Sequence, residues 1–194
     1  HHSRGCFQSM KASRVEVDSK VLGGAVLAIE DFDPEGDFAS FEAQYASEHD
    51  PVYVSCKVPM ENIAWAHALE AWGFQFIECQ IRSAINLNAQ FAIPSLPYQF
   101  ARVENEQQLE SVLDIAGETF THDRFSVDPK IPKWCSGERY RRYLRQSFEA
   151  TDEAVYRLYD PLSDAAVAFK SHRYVSANEV LLLQGGVSPR LRHL

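Results

Sequence analysis

Hydrophobic and polar positions alternate with several distinct periods along the 194-residue chain, and each change of period marks an element. An aliphatic run over residues 21–29, stepped at Gly23-Gly24, predicts a strand. Residues 39–48 read as a helix entered from Asp37, and the apolar/polar alternation of 51–57 reads as a strand. Over 61–72, Ile63, Ala64, Ala66, Ala68, Leu69 and Trp72 recur at helical spacing, with Gly73 placed for a left-handed cap. The apolar stretch 74–87 reads as a long strand. This first block is an alternating strand–helix unit.

The prolines of 91–97 punctuate the chain and predict a linker. A short strand at 100–103 opens the second block. Asn105 is placed to cap a helix from Glu106, with Leu109, Val112, Leu113, Ala116 and Phe120 along one face. A polar, proline-broken loop covers 121–134. Ser136 is then expected to cap a helix striped with Tyr140, Tyr143, Leu144 and Phe148, among which Trp134, Tyr140 and Tyr143 are core candidates. Three strands, at 154–159, 165–174 and 179–185, complete the pattern, separated by turn-forming residues at 160–164 and 175–178. The expected class is α/β with mixed α+β character: residues 10–92 as a smaller α/β domain and 97–194 as a mixed sheet with flanking helices. Residues 1–9, opening His1-His2-Ser3, resemble the remains of a polyhistidine tag and protease site, with Met10 read as the native start.

Composition narrows the partners. With 45% hydrophobic and 12% aromatic residues a packed core is expected, and a net charge of -8 argues against nucleic acid or an anionic membrane surface as the main partner. No apolar run approaches a membrane span and no signal peptide is evident, so a cytoplasmic protein is expected. Cys6, Cys56, Cys79 and Cys135 are scattered without metal-ligand spacing, which predicts structural or incidental thiols and no metal site.

Chemistry enters at the last strand. Gly185-Gly186 after an aliphatic run permits a break in pairing and close backbone approach, so that unpaired N–H and C=O groups could meet the amides of an extended ligand. Taken alone, Gly-Gly after an aliphatic strand is usually just a turn. Val187, Pro189 and Arg192 fall on the spacing Val-x-Pro-x-x-Arg, which resembles the end of the central strand in the GNAT acyltransferase superfamily; the first glycine of that pattern would fall one position past Leu194. The resemblance implies acetyl-CoA as co-substrate, held by Gly185, Gly186, Val187, Ser188 and Arg192, and acetyl transfer to a primary amine.

Within that superfamily, residues 12–194 resemble the dTDP-fucosamine N-acetyltransferases, which carry an additional N-terminal α/β domain. The likeness rests on three stretches: 17–23, Leu69 to Glu78, and Ala116-Gly117-Glu118-Thr119-Phe120 through Arg124-Phe125-Ser126-Val127-Asp128-Pro129 followed by Tyr143. It implies a nucleotide-linked amino sugar as acceptor, with Arg124, Asp128 and Tyr143 near it. Arg124 offers a fork suited to phosphate or carboxylate; equally, an Arg124–Asp128 pair would simply staple the loop. His122 is expected to be a solvated loop residue, and Arg139, Arg141, Arg142 and Arg145 form either an exposed helix face or a diphosphate site. No acid or base is assigned: the family's tyrosine has no counterpart, the place of a strand carboxylate is Leu181, and Glu179 lies roughly 20 Å from Gly185 at about 3.3 Å per residue. Two alternatives stay open: another small amine such as an amino acid or antibiotic, or a binding or structural remnant without catalysis. A bare strand edge would also recruit a second copy, giving a homodimer.

Overall fold

The computed structural model describes residues 11–86 and 95–191; the tag-like residues, most of the expected linker and Arg192 lie outside them. The described residues hold six α-helices and two sheets, a mixed α/β fold, and the chain divides into two compact units between Ile77 and Glu78.

The first unit is a three-stranded sheet in the order β1-β2-β3, from β1 (Lys11–Arg14), β2 (Ala25–Asp31) and β3 (Pro51–Cys56). β1 and β2 are antiparallel; β2 and β3 are parallel, joined by α2 (Phe38–His49). Asp37 caps α2 by accepting from the Ser40 N–H at 3.2 Å, as its position before the periodic run predicts. The expected strand over 21–29 is corrected at its start: Val21 and Leu22 end α1 (Glu16–Leu22), and the strand begins only after the turn at Gly23. The core gathers Ile29, Phe32 and Leu69 under Trp65 and Trp72 of α3 (Ile63–Ala71) and its cap. Gly73, at φ 88, takes the left-handed turn after α3.

The long strand expected from residue 74 does not form over 74–86. No strand among the described residues offers it backbone partners, and Phe76, Ile81 and Ile85 are exposed. An apolar run supplies side chains for a sheet face; it becomes a strand only where a neighbour satisfies its N–H and C=O groups.

The second unit is an antiparallel meander, β4 (Gln99–Arg102), β5 (Glu153–Tyr159), β6 (Ala166–Ser176) and β7 (Glu179–Val187), paired in chain order. Between β4 and β5 run α4 (Glu106–Thr119), the single turn α5 (Arg124–Val127) and α6 (Trp134–Glu149). Asn105 caps α4 through the Gln108 N–H at 3.0 Å. Leu109, Val112, Leu113, Ala116 and Leu144 close over Val155 and Phe169, so α4 and α6 cover one face of the sheet. Ser136 is not the cap expected of it: α6 starts at Trp134, and the Ser136 hydroxyl instead donates to Asp123 Oδ1 at 2.9 Å. Trp134, expected in the core, is exposed at this first position.

In β7 the pairing runs Ser171 with Gln184 and His172 with Leu182, leaving Leu183 as an extra residue in a bulge. The break expected at Gly185-Gly186 therefore lies two residues earlier. Gly185, Gly186 and Val187 pair in register with Lys170, Phe169 and Ala168.

Candidate functional site

The end of β7 is built by the antiparallel ladder. Ser188 N–H donates to Val167 O at 2.8 Å, so the Val167–Ser188 pair is hydrogen-bonded. Such pairs alternate along a ladder with pairs whose polar groups face away. Hence Gly186 faces β6 with both backbone groups, while the N–H and C=O of Gly185 and of Val187 face the outer edge of the sheet, along which no strand pairs among the described residues.

Gly186 is a glycine for a packing reason. A Cβ there would lie 2.7 Å from Thr119 Cγ2, 2.8 Å from Thr119 Oγ1 and 2.9 Å from Phe169 Cε1, closer than carbon atoms tolerate. The last turn of α4 thus sits directly on the strand. Beyond Val187, Ser188 enters a 3-10 turn, Pro189–Leu191, closed by Leu191 N–H to Ser188 O at 2.9 Å. Arg192 and whatever follows it lie outside the described residues. On the face away from the helices, Val187 joins Leu158, Val167, Ala168 and Leu191 in an open apolar depression of about 210 Å³.

The α5 loop carries the other expected residues. The Arg124 backbone N–H donates to Glu78 Oε2 at 2.9 Å, and its guanidinium lies 3.7 Å from Glu78 Oε1; both side chains are largely buried. Asp128 is buried and its carboxylate accepts from the Lys130 N–H at 2.9 Å. Glu78 is thus one partner that ties Arg124 into the loop. Tyr143 lies under the guanidinium of Arg139, 4.8 Å from its ring centre.

Asp123 is the hub of this loop, and sequence reasoning passed over it. Its Oδ1 accepts from Ser126 N–H at 3.0 Å, Ser126 Oγ at 2.6 Å and Ser136 Oγ at 2.9 Å. Arg139 Nη1 lies 3.7 Å from Oδ2 and stacks among Phe125, Tyr140 and Tyr143. Arg139 is therefore no part of an exposed arginine face, whereas Arg141, Arg142 and Arg145 are, paired with Asp114, Glu138, and Glu106 with Glu110. Burial and the nearby Asp123 carboxylate push the Tyr140 hydroxyl well above the usual phenol range. The spacing of Asp123 before a short turn, with a serine three residues on, was the available signal.

The α5 loop and the end of β7 flank the same turn of α4. Thr119 touches Gly186, and the carbonyl of the next residue, Phe120, accepts from Ser126 and Ser136. They are not gathered into one pocket: the depression beside Val187 is lined by none of Arg124, Asp128 and Tyr143. His122 is exposed, as expected of a loop residue. Burial pushes the Cys56 thiol up to about 11 and raises that of Cys135, so neither is an activated nucleophile. Among the described residues no group of His, Cys, Asp or Glu is disposed to hold a metal ion, and no helix is long and apolar enough to cross a membrane. Neither the protein-family models nor the curated proteins contain a match to this chain.

Proposed function

We propose that the chain is an N-acetyltransferase unit of GNAT type, preceded by a small α/β unit, that moves an acetyl group from acetyl-CoA to the primary amine of a small molecule. One observation carries the reading: after the order β4, α4, α6, β5, β6, the strand β7 ends with the N–H and C=O of Gly185 on its outer edge. An extended pantetheine arm has amides at the spacing of a strand and would exchange hydrogen bonds with that edge. Acetyl-CoA would bring the activated thioester; Gly185 would donate to and accept from the arm, and Val187 would give it an apolar neighbour.

The proposed acceptor is a nucleotide-linked amino sugar at the α5 loop, where Arg124 would exchange Glu78 for a phosphate. That existing Glu78 contact favours, as a second reading, a small amine without phosphate.

Calorimetry with acetyl-CoA tests the first step, with Gly185→Pro as the informative variant. Proline removes an N–H that points away from β6, so the β6–β7 ladder should survive. Binding that weakens at least about tenfold in a folded variant supports the reading, the loss of about 1.4 kcal/mol being of the size of one hydrogen bond. No binding to the parent protein at millimolar acetyl-CoA, or unchanged binding in the variant, refutes it. With acetyl-CoA bound, loss of nucleotide-sugar acetylation in Arg124→Ala would separate the two acceptors.

A further inference from the structure

Residues 75–86 follow α3 across the boundary between the units without joining a helix or a strand. Among the described residues this run makes no backbone–backbone hydrogen bond. The side chain of Glu78 ties it to the α5 loop. Glu78 Oε2 accepts from the Arg124 N–H at 2.9 Å, and Oε1 accepts from Gln80 Nε2 at 2.7 Å. The Arg124 guanidinium approaches the same Oε1 only to 3.7 Å.

These distances divide the contact into two parts. The carboxylate is hydrogen-bonded by a backbone amide and by its own run, whereas the guanidinium lies outside the bond length of about 2.7–2.9 Å that a fully engaged arginine–carboxylate pair reaches. The Glu78 and Arg124 side chains are only 20% and 13% exposed, so little water lies between their charges. An arginine fork fits a phosphate as well as a carboxylate. Glu78 therefore stands where an incoming phosphate would meet Arg124, and its charge opposes that phosphate for as long as it stays. Its departure would break one bond to a backbone N–H and one charge pair, but no helix or strand ladder.

We propose that Glu78 is an autoinhibitory contact: its carboxylate occupies Arg124 in the resting protein, and the phosphate of the acceptor binds by displacing it and releasing the run from the α5 loop. The inference rests on the nucleotide-linked acceptor proposed above and adds a regulation of that same site. A ligand that binds only the open form is weakened by the fraction of molecules that are open, so removing the contact strengthens binding by the same factor. For one charge-assisted contact that factor is about tenfold.

Calorimetry with thymidine diphosphate, and with thymidine as the phosphate-free control, tests this on the parent, on Glu78→Gln and on the Glu78→Gln, Arg124→Gln double variant, with melting curves to check folding. Glutamine keeps an oxygen for the Arg124 N–H but removes the charge. Thymidine diphosphate should bind Glu78→Gln about tenfold more tightly than the parent, thymidine should show no gain, and Arg124→Gln should abolish the difference. In the parent, where no variant is needed, saturation with thymidine diphosphate should shift the backbone amide signals of Glu78, Cys79 and Gln80. Unchanged binding in Glu78→Gln overturns the proposal; weaker binding does so as well, since it would make Glu78 a support that aims Arg124. A gain that survives Arg124→Gln, or bound thymidine diphosphate that leaves those amide signals in place, has the same effect. Thymidine diphosphate that binds neither the parent nor Glu78→Gln at millimolar concentration removes the nucleotide acceptor and this proposal together, while the acetyl-CoA titration still decides the donor.

Discussion

Gly186→Ala should destabilise the second unit, and the size of the loss can be worked from the contacts. The added methyl would lie 2.7–2.9 Å from Thr119 Cγ2, Thr119 Oγ1 and Phe169 Cε1. Thr119 cannot simply turn away, because its Oγ1 donates to Ile115 O at 2.7 Å and a β-branched side chain has few rotamers on a helix. Inserting a methyl into such a space costs about 1–3 kcal/mol, against a gain of about 0.4–1 kcal/mol from stiffening the unfolded chain. The net is a loss of about 1–2 kcal/mol, or about 4–16 °C in Tm for a unit of roughly 100 residues. Calorimetric unfolding of the parent, Gly186→Ala, Thr119→Ala and the double variant closes the cycle. With Thr119 cut back to alanine only the Phe169 contact at 2.9 Å remains, so Gly186→Ala should cost clearly less. Equal losses in both backgrounds would falsify the part given to Thr119 and leave Phe169 alone to explain the glycine.

Three further outcomes are expected. Glu78→Ala removes the acceptor of the Arg124 N–H and should cost about 1–3 kcal/mol in urea denaturation, while Glu78→Gln, whose amide oxygen still accepts, should cost less. Asp123→Ala removes the α5 cap and the acceptor shared by two serine hydroxyls, for a loss of about 1–3 kcal/mol, and Asp123→Asn should recover much of it; indistinguishable urea midpoints for the two variants would show that the charge, not the capping oxygen, matters. Burial, then Lys170 and Arg102, hold His172 below its ordinary value of 6.5, with Tyr156 and Tyr174 as its other ionisable neighbours. The unfolded chain then binds the proton more readily, so stability falls as pH drops below about 6.5 and the penalty is absent above it. His172→Phe keeps a ring beside Tyr156 and should flatten that fall; an unchanged midpoint difference between pH 7.5 and 5 would count against it.

Elements with their own boundary chemistry were legible in the chain. Asp37 and Asn105 cap the helices their positions predict, and turn formers at 160–164 and 175–178 separate the last three strands, although Val175 and Ser176 extend β6 and leave only 177–178 as the turn. What misled was apolar content without a partner. Residues 74–86 have the composition of a strand but no neighbour, and Val21 and Leu22 belong to a helix that the adjoining β2 run disguised. The loop residues Arg124, Asp128 and Tyr143 stood out by type and spacing, and the Asp128 contact to the Lys130 N–H is a local turn, but the meeting of Arg124 with Glu78, 46 residues away in sequence, is a tertiary contact that no local pattern encodes. Arg139 shows the same limit: its neighbours in sequence are charged and exposed, while its own guanidinium is taken up by three rings and Asp123.

The extra residue Leu183 reverses the parity of β7. Before it, even-numbered positions, Val180 and Leu182, point to the open face; after it, the odd-numbered Gly185 and Val187 do. Without that phase change the methyl-free position against Thr119 would be taken by Gly185, and Gly186 would turn outward. A single-residue insertion or deletion anywhere between Leu182 and Gly185 would therefore act as an inversion of both surfaces at once, so length here is as constrained as identity.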